Sequence, residues 1–471
     1  MLDSVRGRRG SGGEVLKRLG AFGRTVLAAH PARLVAVAFG AVIMLGAVLL
    51  SLPVAAEDRT GSGLLTSLFT ATSAVCVTGL AVVDTSTHWS GFGEGVILAL
   101  IQVGGFGIMT LASLLALLVS GRLRLRLQLT AQAETKSLGM GDVRRVLLGV
   151  AGTTLIVELS VGALLALRLR FGYDRGIGES VYSGFFHAVS AFNNAGFGLH
   201  ADSLSGYSDD PWILLPVAAA VILGGLGFPV LLEVLRHRER RRRTGRRNWS
   251  LHTKLTLLTS AVLLAAGTVL TFALEWSNRG TLGPYGAGEK LLQGFFHSAM
   301  SRTAGFNAID TGALQSSTLL VTCVLMFIGG GSAGTAGGIK VTTFAVLGVA
   351  ILAEVRGEPA AEAMGRRLAP SVLRQALTVA LLGIGLVIAA SITLLTMMDA
   401  AFERVLFEVV SAFGTVGLST GITAEVPGAG QVVLILLMFI GRIGPITLVS
   451  ALALRERTRR YHLPEERPII G

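Results

Sequence analysis

The sequence is poor in cysteine and in charged residues. Its 471 residues include only two cysteines, Cys76 and Cys323, which excludes a disulfide scaffold and a cysteine-rich metal site. Charged residues make up 15% of the chain, whereas a soluble domain carries roughly 25%. Hydrophobic residues reach 51% and occur in long runs, and the 61 glycines are far more than plain spanning helices need. These values predict an integral membrane protein.

Eight stretches are apolar and long enough, or nearly so, to cross a bilayer, whose core needs roughly 20 apolar residues per helix. The predicted spans are residues 34–52, 93–120, 146–167, 212–235, 255–274, 316–353, 372–398 and 431–454. Four segments that are too short to cross lie between alternate pairs, at residues 62–75, 180–192, 290–300 and 402–413. We interpret each as a short helix that enters and leaves the membrane on one side, where protein or a watery cavity surrounds it.

Positive charge is concentrated on one side of this arrangement. Of the 41 lysines and arginines, 31 lie in residues 1–33, 121–145, 236–254, 354–374 and 454–471, which all fall on that side. The positive-inside rule makes it cytoplasmic, so both termini are predicted to be cytoplasmic. The arginine-rich run 236–247 is also typical of a nucleic-acid patch, but a loop near anionic lipid explains it better between two spans.

A related phrase follows each short segment. The four copies are SAVCVTGL at 73–80, SAFNNAGFG at 190–198, MSRTAGFN at 300–307 and SAFGTVGLS at 411–419. A phenylalanine precedes the central glycine by ten residues in every copy, and the third copy lacks the serine six residues before its glycine. Surface turns would not need a matching helix and phenylalanine, so the pattern indicates a fourfold internal repeat.

A second glycine phrase recurs 24 to 28 residues further on, within the following span. It reads GGFGI at 104–108, GGLGF at 224–228, GGGSAG at 329–334 and GRIGP at 441–445. Close helix packing through small residues explains this phrase as well as a functional role does.

The repeat predicts an all-α integral membrane protein of four tandem span–pore-helix–span units around a pseudo-fourfold central pore. The predicted segments are a basic cytoplasmic N-terminus at 1–33, units at 34–120, 143–235, 251–353 and 371–454, a basic cytoplasmic loop at 236–250 and a cytoplasmic tail at 455–471. A pore helix would direct its partly negative C-terminal end toward the membrane centre, which favours cations.

The glycine turns provide the coordinating groups for such a cation. Glycine permits backbone conformations in which carbonyl oxygens replace the water shell of a dehydrated ion. The turn side chains are small and uncharged, as at Val77, Ala195, Ala304 and Val416, so the backbone must do the coordination. Because no ring of carboxylates is present, the pattern favours a monovalent alkali cation over calcium.

These phrases resemble those of the Trk/Ktr/HKT superfamily of potassium transporters over essentially the whole chain, and eight spans are most similar to the Ktr-type membrane subunit. The resemblance implies a selectivity filter on residues 77–80, 194–198, 303–307 and 415–419, with K⁺ bound by the carbonyls. The filter residues it implies are Val77, Thr78, Gly79, Leu80, Asn194, Ala195, Gly196, Phe197, Thr303, Ala304, Gly305, Phe306, Thr415, Val416, Gly417 and Leu418. Gly79 favours potassium, since a serine there accompanies sodium preference in the plant branch.

The third unit has a glycine-rich interruption of its last span at residues 329–343. The P-loop pattern is absent because Ile339 precedes Lys340 and Val341 follows it. A broken helix that lines a cavity fits better, and the resemblance implies an intramembrane gate. The predicted gate residues are Gly329, Gly330, Gly331, Ser332, Gly334, Thr335, Gly337, Gly338, Lys340 and Arg442.

Five charged or titratable residues in the membrane elements have open or structural interpretations. Arg442 stands where other units have glycine, and a charge at that depth is expected to face the bundle interior. The resemblance implies a place for it beside the gate and pore, and the alternative is an arginine that snorkels to the cytoplasm. Lys340 either holds the loop through pairing or carbonyl contacts, or faces the cytoplasm. Glu158, the one acidic residue predicted to be buried in a span, is expected to hydrogen-bond the adjacent pore helix, with ion coupling as the alternative. His187 and His297 are expected to pack or hydrogen-bond within their pore helices.

The predicted function is potassium uptake across the bacterial plasma membrane, with a sodium- or proton-coupled alternating-access transporter as the alternative. An enzyme is not expected, because no partner for Glu158 is evident. The resemblance implies a homodimer on a ring of cytoplasmic RCK-type regulatory subunits that bind ATP/ADP or NAD(H). No covalent cofactor and no nucleic acid are expected; K⁺ occupies the filter, and Na⁺ is a further candidate as activator.

Overall fold

The computed structural model describes residues 31–107, 143–235 and 249–444, and these ranges are mostly helical with almost no strand. The principal helices are α1 (Pro31–Leu50), α2 (Leu64–Val75), α3 (Gly91–Gly105), α4 (Val143–Gly172), α5 (Ile177–Phe192), α6 (Pro211–Leu226), α7 (Phe228–Leu235), α8 (Leu251–Glu275), α9 (Ala287–Met300), α10 (Ser316–Phe327), α11 (Val341–Val355), α12 (Pro370–Leu395), α13 (Phe402–Gly414) and α14 (Gly428–Ile443). Short helical turns lie at Pro53–Ala55, Thr85–His88, Ser205–Tyr207, Thr311–Ala313 and Ile422–Glu425.

One small hairpin connects α11 to α12. Its strands β1 (Glu362–Ala363) and β2 (Arg366–Arg367) pair antiparallel, with Glu362 opposite Arg367. Met364 and Gly365 form the turn, and both have positive φ.

Three of the described helices are long and apolar enough to cross a membrane by themselves: Leu148–Gly172 within α4, α8 and α12. The pair α6 and α7 passes the same test together but is bent by 102°. The remaining apolar helices of the described ranges are shorter, at 10 to 17 residues. The predicted spans 93–120 and 431–454 continue past residues 107 and 444, beyond which the chain lies outside the described residues.

The prediction of one continuous span over residues 212–235 is wrong. Helix α6 ends at Leu226 because Gly227 takes φ 91° and ψ 138°, which is outside the helical region and open only to glycine. Gly444 takes nearly the same conformation, φ 90° and ψ 137°, at the end of α14. The sequence analysis expected an interruption in the third unit alone, whereas a second break occurs here.

The helices pack as four consecutive sets: α1–α3, α4–α7, α8–α11 and α12–α14. Within each set the short second helix packs against the long first helix. Between sets, the helix after each turn packs against the short helix of the following set: α3 on α5, α6 on α9, α10 on α13 and α14 on α2. The contacts therefore run from the first set to the fourth and return to the first.

Several predicted segments lie outside the described residues. These are the tail 455–471, most of the basic segments 1–33 and 236–250, and residues 108–142 between α3 and α4. The domain boundaries and the orientation of the termini therefore remain predictions.

Candidate functional site

All four glycine phrases reverse the chain directly after a short helix. The central glycines have left-handed φ values, 89° at Gly79, 70° at Gly196, 65° at Gly305 and 93° at Gly417. Only glycine adopts such values without strain. We refer to residues 77–80, 194–198, 303–307 and 415–419 as turn segments 1 to 4.

The four turn segments contact one another through their backbones. A Cβ atom added to any of the four central glycines would overlap a carbonyl oxygen of the next segment. The overlapping pairs are Gly79 with Ala195, Gly196 with Ala304, Gly305 with Val416 and Gly417 with Thr78. In each pair the carbonyl belongs to the residue just before a central glycine, so four carbonyls and four glycines form a closed ring.

Side chains near the central glycines anchor the turn segments. Every residue that follows a central glycine is large, apolar and fully buried: Leu80, Phe197, Phe306 and Leu418. In segments 1 and 4 the glycine N–H donates to the serine six residues earlier, Gly79 to Ser73 Oγ at 3.1 Å and Gly417 to Ser411 Oγ at 3.0 Å. In these two segments the hydrogen bond fixes the position of the central glycine relative to the short helix.

In the third copy, the buried phenylalanine of the short helix is one residue closer to the central glycine than in the other copies. The buried ring of its short helix is Phe296, nine residues before Gly305, whereas Phe295 is only partly buried. The phenylalanine ten residues before the central glycine is therefore fully buried in the other three copies and only partly buried in this one. Without a serine, the Gly305 N–H faces the carbonyl of Met300 at 3.4 Å.

Three non-glycine residues adopt left-handed backbone two positions before their glycines, and the sequence did not predict this. They are Val77 (φ 57°), Asn194 (φ 61°) and Thr415 (φ 50°). Such conformations are rare for β-branched residues and cost on the order of 1–3 kcal/mol each. They persist because the short helices and neighbouring segments enclose them. Thr303, at the same position of segment 3, does not share this conformation.

The glycine-rich loop, residues 329–343, joins α10 to α11 and is tied to the ends of two other helices. Gly331 N donates to Gly225 O at 2.7 Å, and Thr335 N faces Gly224 O at 3.3 Å, both at the end of α6. Gly338 N donates to Gly441 O on α14 at 3.2 Å. The second glycine phrase therefore holds the loop as well as packing against the short helices.

Close packing explains the other part of that phrase. An added Cβ at Gly104, Gly224 or Gly441 would overlap the carbonyl oxygen of Val75, Phe192 or Phe413, near the end of the short helix in the same set. The loop glycines Gly329, Gly330, Gly331 and Gly334 likewise abut backbone atoms.

The two basic residues assigned to the loop region both contact carbonyl oxygens. The guanidinium of Arg442 donates to Thr335 O in the loop and to Gly104 O at the end of α3. Lys340 Nζ donates to Ala336 O at 2.6 Å. The carbonyl contact is one of the interpretations that the sequence left open for Lys340.

The loop also reaches the turn segments. Thr335 lies beside Asn194 of segment 2, with Thr335 Oγ1 and the Asn194 side-chain amide 3.2 Å apart. A Cβ at Gly337 would overlap the side chain of Thr415, and Gly338 approaches Gly414. All 26 predicted site residues are described, and the structure brings turn segments 2 and 4, the loop and Arg442 together.

Glu158 makes the contact expected of it. Asn193, which caps α5, donates from Nδ2 to Glu158 Oε1 at 3.0 Å. Gln102 Nε2 on α3 faces Glu158 Oε2 at 3.3 Å. The carboxylate therefore links α4 and α3 to the C-terminal end of α5.

The expectation of a single buried acid is wrong, because Glu275 and Glu408 are also fully buried. Glu408, on α13, accepts hydrogen bonds from Ser419 Oγ at 2.9 Å and from the Thr423 hydroxyl. Both hydroxyls lie on the chain that leaves turn segment 4. The sequence pattern of a single helix does not reveal this burial, because it depends on contacts with other elements of the fold.

The two histidines hydrogen-bond within and around their short helices. His187 Nδ1 lies 2.7 Å from Ser183 O, and His297 Nε2 lies 3.0 Å from Thr322 Oγ1. The His200 ring stacks on His187 with ring centroids 5.3 Å apart. Burial lowers the pKa of His200, and nearby Arg175 lowers it further, so the uncharged ring is favoured at neutral pH.

The apolar helices, several of them long enough to cross a bilayer, define an integral membrane protein of the helical class. Residues 24–458 match the TrkH family, described as cation transport protein, and the chain belongs to that family. This confirms the resemblance seen in the sequence, and it makes the protein a transporter rather than an enzyme.

Similar proteins carry more specific names. The chain is 39% identical to Ktr system potassium uptake protein B of Bacillus subtilis, over 92% of this chain and 95% of that protein. It is 38% identical to the Vibrio alginolyticus protein of the same name, over 93% and 94%. Identity to the potassium/sodium uptake protein NtpJ of Enterococcus hirae is 34%, over 94% and 97%. The fold is similar to the crystal structure of the potassium transporter TrkH from Vibrio parahaemolyticus, with a TM-score of 0.66 and 19% identity, over 88% and 85% of the two chains.

Proposed function

We propose that this protein takes up potassium through a channel-like pore whose selectivity filter is the ring of turn segments. The observation that carries the proposal is the closed sequence of carbonyl–glycine contacts around the four segments. In this proposal the four helix sets are span–pore-helix–span units around a pseudo-fourfold central pore. The names of the similar potassium uptake proteins support the same substrate.

The chemistry of the turn segments supports a monovalent cation. None of the sixteen assigned residues carries a charged side chain, so backbone carbonyls supply the ligands that replace the hydration shell of K⁺. No covalent cofactor takes part. The inward membrane potential contributes about 2.3 kcal/mol per charge per 100 mV, which drives accumulation without a chemical cycle.

The glycine-rich loop is the proposed gate. It connects the ends of α6 and α14 to turn segments 2 and 4, and Arg442 ties its carbonyl at Thr335 to α3. These are short hydrogen bonds to a loop of small residues, which can separate without unfolding a helix.

Regulation is assigned to a partner. We propose a homodimer in the bacterial cytoplasmic membrane, with both termini cytoplasmic, on a ring of RCK-type subunits that bind ATP/ADP or NAD(H). Na⁺ is proposed as an activator. Flux through the purified protein alone should not respond to any of these nucleotides, and a response without a partner would remove this part of the proposal.

Growth at low potassium tests the transport function. Cells that lack their own potassium uptake should grow at limiting K⁺ when they express this protein, and should not when they express Gly305→Arg, whose side chain would enter the ring at the Val416 carbonyl. Membrane insertion of both proteins is verified by fractionation. Failure of the inserted wild-type protein to support growth contradicts the proposal.

A coupled alternating-access transporter is the second candidate. The second helix break, at Gly227, is the observation in its favour, because such transporters bind ions at broken helices. The repetition of four sets in one order along the chain favours the pore. A K⁺ flux whose reversal potential follows the K⁺ gradient alone supports the pore, and one that shifts with the Na⁺ or H⁺ gradient supports coupling.

A further inference from the structure

The side chain of Asn194 lies between two turn segments and the glycine-rich loop. It is fully buried. In the orientation that satisfies its neighbours, the amide nitrogen lies 3.2 Å from Thr335 Oγ1 of the loop and 3.2 Å from the carbonyl oxygen of Phe192 at the end of α5. The amide oxygen accepts a hydrogen bond from the Thr303 hydroxyl of segment 3. The same nitrogen also lies 3.2 Å from the carbonyl oxygen of Val221 on α6, so one amide contacts α5, α6, the loop and segment 3.

Thr335 is the point of the loop where these contacts meet. Its backbone N–H faces Gly224 O on α6, its carbonyl accepts from Arg442, and its hydroxyl faces Asn194. A movement of the loop that clears the pore must therefore separate Thr335 from Asn194. Without Thr335, the amide nitrogen would have only the backbone carbonyls of Ala191, Phe192 and Val221 as acceptors, and the amide would reorient toward them.

A reorientation of the Asn194 side chain would affect the backbone of the turn segments. Asn194 has a left-handed φ of 61° and lies two positions before Gly196, one of the four glycines of the ring. Its amide also holds Thr303, two positions before Gly305. A reoriented amide therefore releases two of the four turn segments from their present support.

We propose that Asn194 and Thr335 couple the gate loop to the filter, so that the position of the loop sets the preference for K⁺ over Na⁺ as well as the flux. This inference rests on the proposed function. It differs from that function in making selectivity a property that changes with the gate.

A contact inside the loop provides a matched control. Ser332 Oγ lies 3.1 Å from Thr342 Oγ1, and this pair joins two loop residues without touching a turn segment. Loss of either hydroxyl pair should loosen the loop. Only the loss of the Thr335 pair should also change the filter.

The test measures K⁺ and Na⁺ flux separately in liposomes that contain the purified protein. Thr335→Val removes the hydroxyl and keeps the shape, Thr335→Ser keeps the hydroxyl, and Ser332→Ala is the control. We expect Thr335→Val to raise K⁺ flux and to lower the K⁺/Na⁺ flux ratio about fivefold, the factor that one lost hydrogen bond gives. Thr335→Ser should keep the wild-type ratio, and Ser332→Ala should raise flux at that same ratio.

A double-mutant cycle identifies the partner. If the two residues act through one contact, Asn194→Leu combined with Thr335→Val changes the flux ratio no more than the larger single effect. Multiplying effects, or a Thr335→Val protein with an unchanged ratio, overturn the inference. If Asn194→Leu does not fold, the comparison of Thr335→Val with Thr335→Ser decides the question by itself. A wild-type protein without K⁺-selective flux would instead contradict the proposed function.

Discussion

At the four central glycines there is no room for the Cβ atom that any other residue would add. Each Cβ would overlap a backbone carbonyl of the neighbouring turn segment, and a carbonyl cannot rotate away as a flexible side chain can. The positive φ adds a second penalty that no other residue avoids. Two independent constraints therefore select glycine at these positions, as they do at Gly227, where φ is 91° and an added Cβ would overlap the carbonyl oxygen of Ser332.

Gly196→Ala is predicted to lose most K⁺ flux and to destabilise the protein. The new methyl group would overlap Ala304 O, and the φ of 70° strains it further, at a cost on the order of 1–3 kcal/mol. Flux in liposomes and thermal unfolding in detergent measure the two effects. Gly178→Ala is the matched control, because Gly178 lies in the helix that precedes the same turn and has no atom within 4 Å of an added Cβ. Equal flux in the two variants would contradict the assignment of Gly196.

Glu408→Ala is predicted to lower stability by about 2 kcal/mol, because the Ser419 and Thr423 hydroxyls would lose their buried acceptor. Glu408→Gln, which keeps one acceptor oxygen, should lie between Glu408→Ala and the wild type. The apparent unfolding temperature in detergent compares them. Glu403→Ala, at an exposed position of the same helix, should match the wild type. If Glu403→Ala and Glu408→Ala unfold together, the Glu408 contacts contribute nothing.

At the scale of elements, the repeat predicts the short helices well and the breaks poorly. Helices α2, α5, α9 and α13 fall within a few residues of their predicted segments because each ends in a turn phrase that stops a helix. The break at Gly227 was missed because GGLGF is equally compatible with a continuous helix that packs through small residues. What decides between them is a φ of 91°, and this depends on the loop that crosses beside it, not on local sequence.

Shortening the glycine-rich loop is predicted to raise cation flux. Removal of residues 332–335 would delete Thr335, and with it the carbonyl that accepts from Arg442 and the contact to Asn194. K⁺ flux in liposomes without any partner measures the effect. Deletion of Met364 and Gly365, in the hairpin turn between α11 and α12, controls for shortening the chain. Unchanged flux in a correctly folded loop variant would remove the gate assignment.

At the scale of the whole molecule, the sequence predicts the four units but not how they pack against one another. The sequence identifies four similar units, but it does not contain the rule by which the helix after each turn packs against the short helix of the next set. That rule places α14 against α2, more than 350 residues apart in sequence, and puts Gly417 beside Thr78. Because these contacts join distant residues, they follow from packing the complete chain.

The orientation of the molecule can be tested because cysteine is scarce. Cys76 and Cys323 are both buried, so neither should react with a membrane-impermeant maleimide. Glu57→Cys and Glu358→Cys place thiols at exposed positions of loops that the charge distribution assigns to opposite sides. In intact cells, Glu57→Cys should be labelled and Glu358→Cys should be labelled only after permeabilisation. The reverse pattern would invert the proposed topology, and with it the direction from filter to gate. Wild-type protein treated in the same way measures the background from the two native thiols.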